Sequence, residues 1–128
     1  MVMPLNVGKN HWITVIIRPY EQSIWVYDFL YLKSQTRYKR IIRIQYWWNK
    51  HIATPLGLPE ITRVHKNRDL NGIQQHNGDS CGVYVCVLCK CIMEGALPTN
   101  NVLNDALMET EHRRMIFTDI WDYFFPML

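Results

Sequence analysis

A helix that is apolar on nearly every side belongs in the middle of a core, and residues 81 to 95, CGVYVCVLCKCIMEG, form such a stretch. Whatever this chain folds into must wrap other elements around that segment. Directly ahead of it stands QQHNGDS, whose Asn77-Gly78 pair, like Asn71-Gly72 before it, suits the left-handed backbone conformations of tight turns. The chain therefore turns sharply and enters the buried helix at Cys81, between the small residues Ser80 and Gly82.

The elements available for wrapping lie mostly upstream. Residues 11 to 19, HWITVIIRP, are rich in β-branched side chains and end at a proline, as a strand does. YEQS then supplies a turn, and IWVYDF at 24 to 29 returns as the second strand of an antiparallel hairpin. From 34 to about 50 the spacing of Tyr38, Ile41, Ile42, Gln45 and Trp48 predicts a helix, with Ser34 as its cap and TPLGLPE as its breaker. EITRVHK at 60 to 66 reads as a short strand, and 67 to 80 as a loop. Leu103, Leu107, Phe117, Ile120, Trp121 and Phe124 predict one or two amphipathic closing helices. The expected class is α+β: a hairpin and a short strand packed on a central buried helix and C-terminal helices. With no repeat and no linker, residues 1–128 read as a single domain.

Composition removes several function classes. No stretch reaches the roughly 20 apolar residues of a membrane helix, and MVMPLNVGKNH lacks the features of a secretory signal. An intracellular address, nucleus or cytoplasm, is expected. Cys81, Cys86, Cys89 and Cys91 crowd into eleven residues, whereas a disulfide framework spreads its cysteines; reduced thiols are expected. Cys86, Cys89 and Cys91 hold one Cys-x-x-Cys pair with no second pair to complete a zinc site, so they read as helix packing. A net charge of +3 is too mild to argue for nucleic acid. Lys33, Arg37, Lys39, Arg40 and Arg43 read as a solvated helix face, and Trp47, Trp48 and Trp121 as core or core-edge residues. A monomer with no metal, no cofactor, and no nucleic-acid or membrane partner is expected.

Chemistry gathers around Cys81. The unpaired amides and dipole of a helix N-terminus favour a negative group, as a nucleophilic thiolate requires, and small neighbours leave room for a substrate carbonyl. A thiolate needs a base that later protonates the leaving amine, and histidine suits both tasks. Of His11, His51, His65, His76 and His112, His11 stands out: it opens a strand whose return partner delivers Asp28, 17 residues on, to orient the imidazole. Gln75, six residues before Cys81, can join the Cys81 backbone N–H in holding an oxyanion, each such donor being worth roughly 2.7–4 kcal/mol.

His11-Trp12, Asp28 after an aromatic-rich strand, and QQHNGDSCGVYVC together resemble the ubiquitin-like-protein-specific protease family, the SUMO and sentrin proteases, with its ordered His, Asp, Gln and Cys. Papain-like enzymes place cysteine before histidine instead. The resemblance covers residues from about 5 to 95. It implies a compact α+β fold with a circularly rearranged papain-like core, catalytic His11, Asp28, Gln75 and Cys81, and cleavage after the Gly-Gly terminus of a SUMO-like or other ubiquitin-like modifier, in precursor processing or isopeptide deconjugation. It also implies that Trp12 contacts substrate by walling a tunnel for the two glycines. Two departures stand out: Ser80 occupies the position before the cysteine where the family usually has aspartate, and only ten residues precede His11. The chain is accordingly expected to be an N-terminally truncated catalytic domain. Two other readings remain open from the residues: a non-catalytic domain that only binds a modifier, and an acyltransferase on the same scaffold.

Overall fold

The computed structural model describes residues 1–7, 11–30, 35–66, 80–95, 110–111 and 113–119. Its centre is a four-stranded sheet in the order β1-β2-β3-β4, formed by Val2–Asn6, Trp12–Arg18, Ser23–Tyr27 and Arg63–Lys66. The first two pairings are antiparallel and the third, β3 with β4, is parallel. A parallel pair needs a crossover, and helix α1, Gln35–Trp48, lies in it.

β2 and β3 form where the β-branched runs predicted them, joined by a single 3₁₀ turn at Pro19–Glu21. Gln22 follows at φ 51°, and this left-handed residue turns its carbonyl oxygen towards the amides of Thr62 and Arg63, at 2.9 and 3.1 Å. That carbonyl fixes where the chain enters β4. β1 was not anticipated. It lies at the sheet edge and contains Pro4, which lacks the N–H an interior strand would need but is tolerated at an edge.

The helix expected over 34 to about 50 runs further, and it breaks inside TPLGLPE as expected. After α1 a π-helical turn, Asn49–Ala53, leads into α2, Thr54–Leu56. Pro55 has no N–H, and its ring would crowd the carbonyl of a regular α-turn; the wider turn ahead of it makes room. The Thr54 N–H and hydroxyl both reach the Asn49 carbonyl, the hydroxyl at 2.8 Å. Termination falls at Gly57, at φ 64°, where the Leu58 N–H bonds the Ala53 carbonyl at 2.9 Å in a Schellman closure. Gln45 and Asn49 then hold the Ile61 backbone, with bonds of 2.8 and 3.1 Å to its carbonyl and 2.8 Å from its amide.

The sheet carries a core on each face. Ile13, Val15, Ile17, Ile24 and Val26 pack with Ile41, Trp48, Ala53 and Ile61 on the α1 side. Ile16, Tyr27 and Phe29 pack with Val83, Tyr84, Val87 and Leu88 of helix α3, Cys81–Met93, on the other. The alternation along β2 makes this division possible, since odd and even positions point to opposite faces. Trp48 is buried as expected, but Trp47 is 48% exposed because it lies one residue round the helix from the apolar stripe. Lys39, Arg40 and Arg43 are exposed, as a solvated face requires.

Among the described residues no helix is long and apolar enough to cross a membrane. Residues 110–111 and 113–119 are helical, and Ile116 packs against the α3 core. Of the expected apolar closing positions, Leu103, Leu107, Ile120, Trp121 and Phe124 lie outside the described residues, as does Ser34; Phe117 is exposed.

Candidate active site

The candidate base, His11, and its candidate carboxylate partner, Asp28, come from two ends of one hairpin. His11 directly precedes β2, where its carbonyl accepts the Val7 N–H at 2.9 Å; Asp28 directly follows β3. In an antiparallel pair these ends are neighbours. Extending the register from Thr14↔Tyr27 by one step sets Asp28 across from Ile13, one diagonal position from His11. The side chains close that diagonal, with His11 Nε2 lying 2.9 Å from Asp28 Oδ1.

The pair is shielded: Asp28 is 2% exposed and the His11 side chain 14%. Burying a carboxylate is costly unless it is bonded, and here the Leu30 N–H also donates to Oδ1, at 3.0 Å. A neutral imidazole in this geometry donates its Nε2–H to Asp28, which leaves Nδ1 as the basic nitrogen. A protonated imidazole gains an ion pair at the same place.

Cys81 is the first residue of α3 and is 3% exposed. One turn on, Tyr84 sets its ring 5.0 Å from that of Phe29, the residue after Asp28. Cys89 lies beside Thr14, while Cys91 and Ile92 pack in the same cluster as Val2, which pairs with Ile16. The helix therefore advances along β2 in the strand's own direction, and it begins at the end of the sheet that carries His11 and Asp28.

Trp12, the first residue of β2, is 40% exposed at that same end, so its indole belongs to the surface and not to either core. Gln75, His76 and His112 lie outside the described residues. His65 packs on Trp25 with ring centroids 4.5 Å apart, and His51 lies 6.3 Å from the Trp47 ring.

Two further residues belong to this neighbourhood. Ser80 is buried, its carbonyl accepts the Tyr84 N–H at 3.1 Å, and Arg113 Nη2 donates to its hydroxyl at 3.2 Å. Arg113 stands in a polar run, ETEHRRM, which carries no motif that points to Ser80.

All four cysteines are thiols and not disulfides. Cys86 is exposed, and Cys89 and Cys91 are half-buried; partial desolvation raises all three thiols above their ordinary value of 9.0, the neighbouring Thr14 partly offsetting this for Cys89. The Lys90 ammonium is held up by its hydrogen bond to Asp119, 2.8 Å away. Among the described residues no three His, Cys, Asp or Glu side chains gather to hold a metal ion.

The fold is of the expected α+β class, a four-stranded sheet with helices on its two faces. The sequence model described as the Ulp1 protease family, C-terminal catalytic domain, matches residues 1–120, and the chain belongs to that family. Among solved structures it is similar to the SUMO protease Ulp1 with its catalytic cysteine oxidised to a sulfenic acid, at TM-score 0.68 and 23% identity over 90% of this chain and 49% of that one. It is similar also to the sulfonic acid form of the same protease, at TM-score 0.67 and 24% identity over 93% and 53%. A third is the C-terminal Ulp1 protease domain in complex with Smt3, the yeast orthologue of SUMO, at TM-score 0.59 and 22% identity over 88% and 47%. The chain thus spans about half the length of the structures it matches. No curated protein sequence matches it.

Proposed function

We propose that this chain carries the catalytic residues of an intracellular thiol protease, working as a monomer, that cleaves after the Gly-Gly terminus of a SUMO-like or other ubiquitin-like modifier. Cys81 is the nucleophile, His11 the base and then the acid, and Asp28 orients His11. Gln75 and the Cys81 N–H hold the oxyanion. The observation that carries the reading is the buried 2.9 Å His11–Asp28 pair at the end of the sheet where the Cys81 helix begins. Membership of the Ulp1 protease family supports it.

In the proposed reaction His11 Nδ1 takes the thiol proton, and the sulfur attacks the carbonyl carbon of the terminal glycine. As the C–S bond forms, the carbonyl oxygen becomes an oxyanion facing its two donors. His11 returns the proton to the leaving amine as the C–N bond breaks, giving a thioester. Water, deprotonated by His11, then releases the modifier carboxylate and restores the thiol. Asp28 stabilises the imidazolium in both halves without itself taking a proton. Trp12, exposed beside His11, walls the passage for the two glycines.

The direct test is incubation with SUMO bearing a C-terminal thiol-reactive electrophile. A covalent adduct of the expected mass, lost in Cys81→Ala, supports the reading. Equilibrium binding of SUMO without an adduct, unchanged by Cys81→Ala, would establish a binding domain instead.

A further inference from the structure

Arg113 stands 32 residues beyond Cys81 in the chain, yet its guanidinium reaches the residue next to that sulfur. Ser80 occupies the N-cap position of α3, where a serine hydroxyl ordinarily accepts an amide of the first turn. Here the hydroxyl makes no capping bond and instead accepts from Arg113 Nη2 at 3.2 Å. The Ser80 carbonyl still starts the helix by accepting the Tyr84 N–H. One buried residue thus joins two elements, with its backbone in α3 and its side chain on the C-terminal helical segment.

A second tie lies further along. Lys90 Nζ donates to Asp119 Oδ2 at 2.8 Å, and Ile116, between the two ties, packs into the α3 core. Residues 113–119 therefore run alongside α3 in its own direction, with Arg113 level with the helix start. The two ties differ in kind. Lys90 and Asp119 keep side-chain exposures of 38% and 53%, so that pair is weak and screened by salt, whereas Arg113, exposed along its own helix, donates to a Ser80 hydroxyl that is buried.

We propose that Arg113 is a positioning residue for Cys81. By holding Ser80 it fixes the backbone at the first turn of α3, and with it both the direction of the sulfur and the Cys81 N–H. It also brings a permanent positive charge within one residue of the atoms that become negative during attack. This rests on the reading of Cys81 as nucleophile, but it predicts an effect on the sulfur that needs no modifier.

The test compares Arg113→Ala, Arg113→Lys, Ser80→Ala and Lys90→Ala in two assays. In the first, iodoacetamide at pH 7 is followed by peptide mapping, so that the rate at Cys81 is read apart from Cys86, Cys89 and Cys91. Arg113→Ala and Ser80→Ala should each change that rate about tenfold. Arg113→Lys should recover part of the difference, and Lys90→Ala should leave the rate within about twofold. In the second, cleavage of a SUMO precursor, Arg113→Ala should lower kcat about tenfold with KM little changed, since the residue touches no substrate.

Cys81 alkylation rates that coincide in all four variants and the unaltered chain would overturn the proposal. So would an equal change in Lys90→Ala, which would mean that only general docking of the C-terminal segment matters. Should no variant cleave SUMO precursor while the alkylation rates separate as described, the protease reading fails and the positioning role stands. Circular dichroism melting of each variant separates local effects from loss of fold.

Discussion

Replacing Asp28 by asparagine keeps the side-chain shape and removes the charge, so it isolates what the carboxylate does for His11. An amide oxygen can still accept the Nε2–H, but it offers the imidazolium no ion pair. SUMO-precursor cleavage by Asp28→Asn should fall by at least about tenfold in kcat, with binding of SUMO unchanged. A kcat equal to that of the unaltered chain would remove Asp28 from the mechanism. The other thiols give a control on selectivity. Because desolvation raises Cys86, Cys89 and Cys91, their thiolate fraction at neutral pH is below that of an ordinary cysteine, and their alkylation should accelerate only as pH climbs past 9.0. Mass mapping across pH 7 to 10 checks this. Residues of this kind differ in how far a sequence reveals them. His11 and Asp28 were readable because a hairpin with a short turn forces its outer ends together, and their side chains meet as expected. Cys81 was readable as the first residue of a buried helix because a long apolar run begins there. Arg113 was not, since a long side chain that reaches across from another helix leaves no periodic trace, and Gln75 lies outside the described residues.

At the scale of elements, local chemistry decides where each piece stops. Gly57 ends the α1–α2 run at φ 64°, and a Cβ placed there would meet nothing within 4 Å. Gly57→Ala should therefore destabilise through backbone strain alone, by about 1 kcal/mol, read as a shift in the urea midpoint at unchanged m-value. A loss of several kcal/mol would mean that the closure also positions Ile61 and β4. The strand β2 and the helix α3 emerge from pattern because each is long and strongly apolar, and β3 because its apolar run returns directly after a short turn. β1 escaped because VMPLN carries a proline and is only half-buried, with no residue fully inside either core. The helix boundary near residue 50 was misjudged for a different reason: proline was read as a stop, whereas a π-turn lets the helix absorb it. Trp47 was misplaced by one residue of helical rotation.

Among the described residues, two apolar layers sandwich the sheet, and the α3 layer is the one that carries Cys81. Leu88, fully buried in the α3 layer, should cost about 2–5 kcal/mol when changed to alanine and should slow Cys81 adduct formation as well. Ile41→Val, on the opposite layer, should cost about 0.5–1.5 kcal/mol and leave adduct formation by the folded fraction unaltered. Alkaline pH probes the α3 side in another way. A thiol raised by burial is held more tightly by its proton in the folded chain than in the unfolded one. Stability should therefore decline as pH rises above the unfolded cysteine value. Lys90 acts in the same sense, its contribution being complete below its ordinary 10.5 and lost as pH rises through its raised folded value. Thermal melts of the Cys86, Cys89 and Cys91 triple serine variant should show a shallower decline. The ring contact between Phe29 and Tyr84 ties these scales together. Phe29 follows Asp28 and Tyr84 follows Cys81 by one turn, so one aromatic joint links the start of the helix to the end of the sheet that carries the His11–Asp28 pair. Natural variation at that joint cannot trade durability against speed, and substitutions there should lose both together.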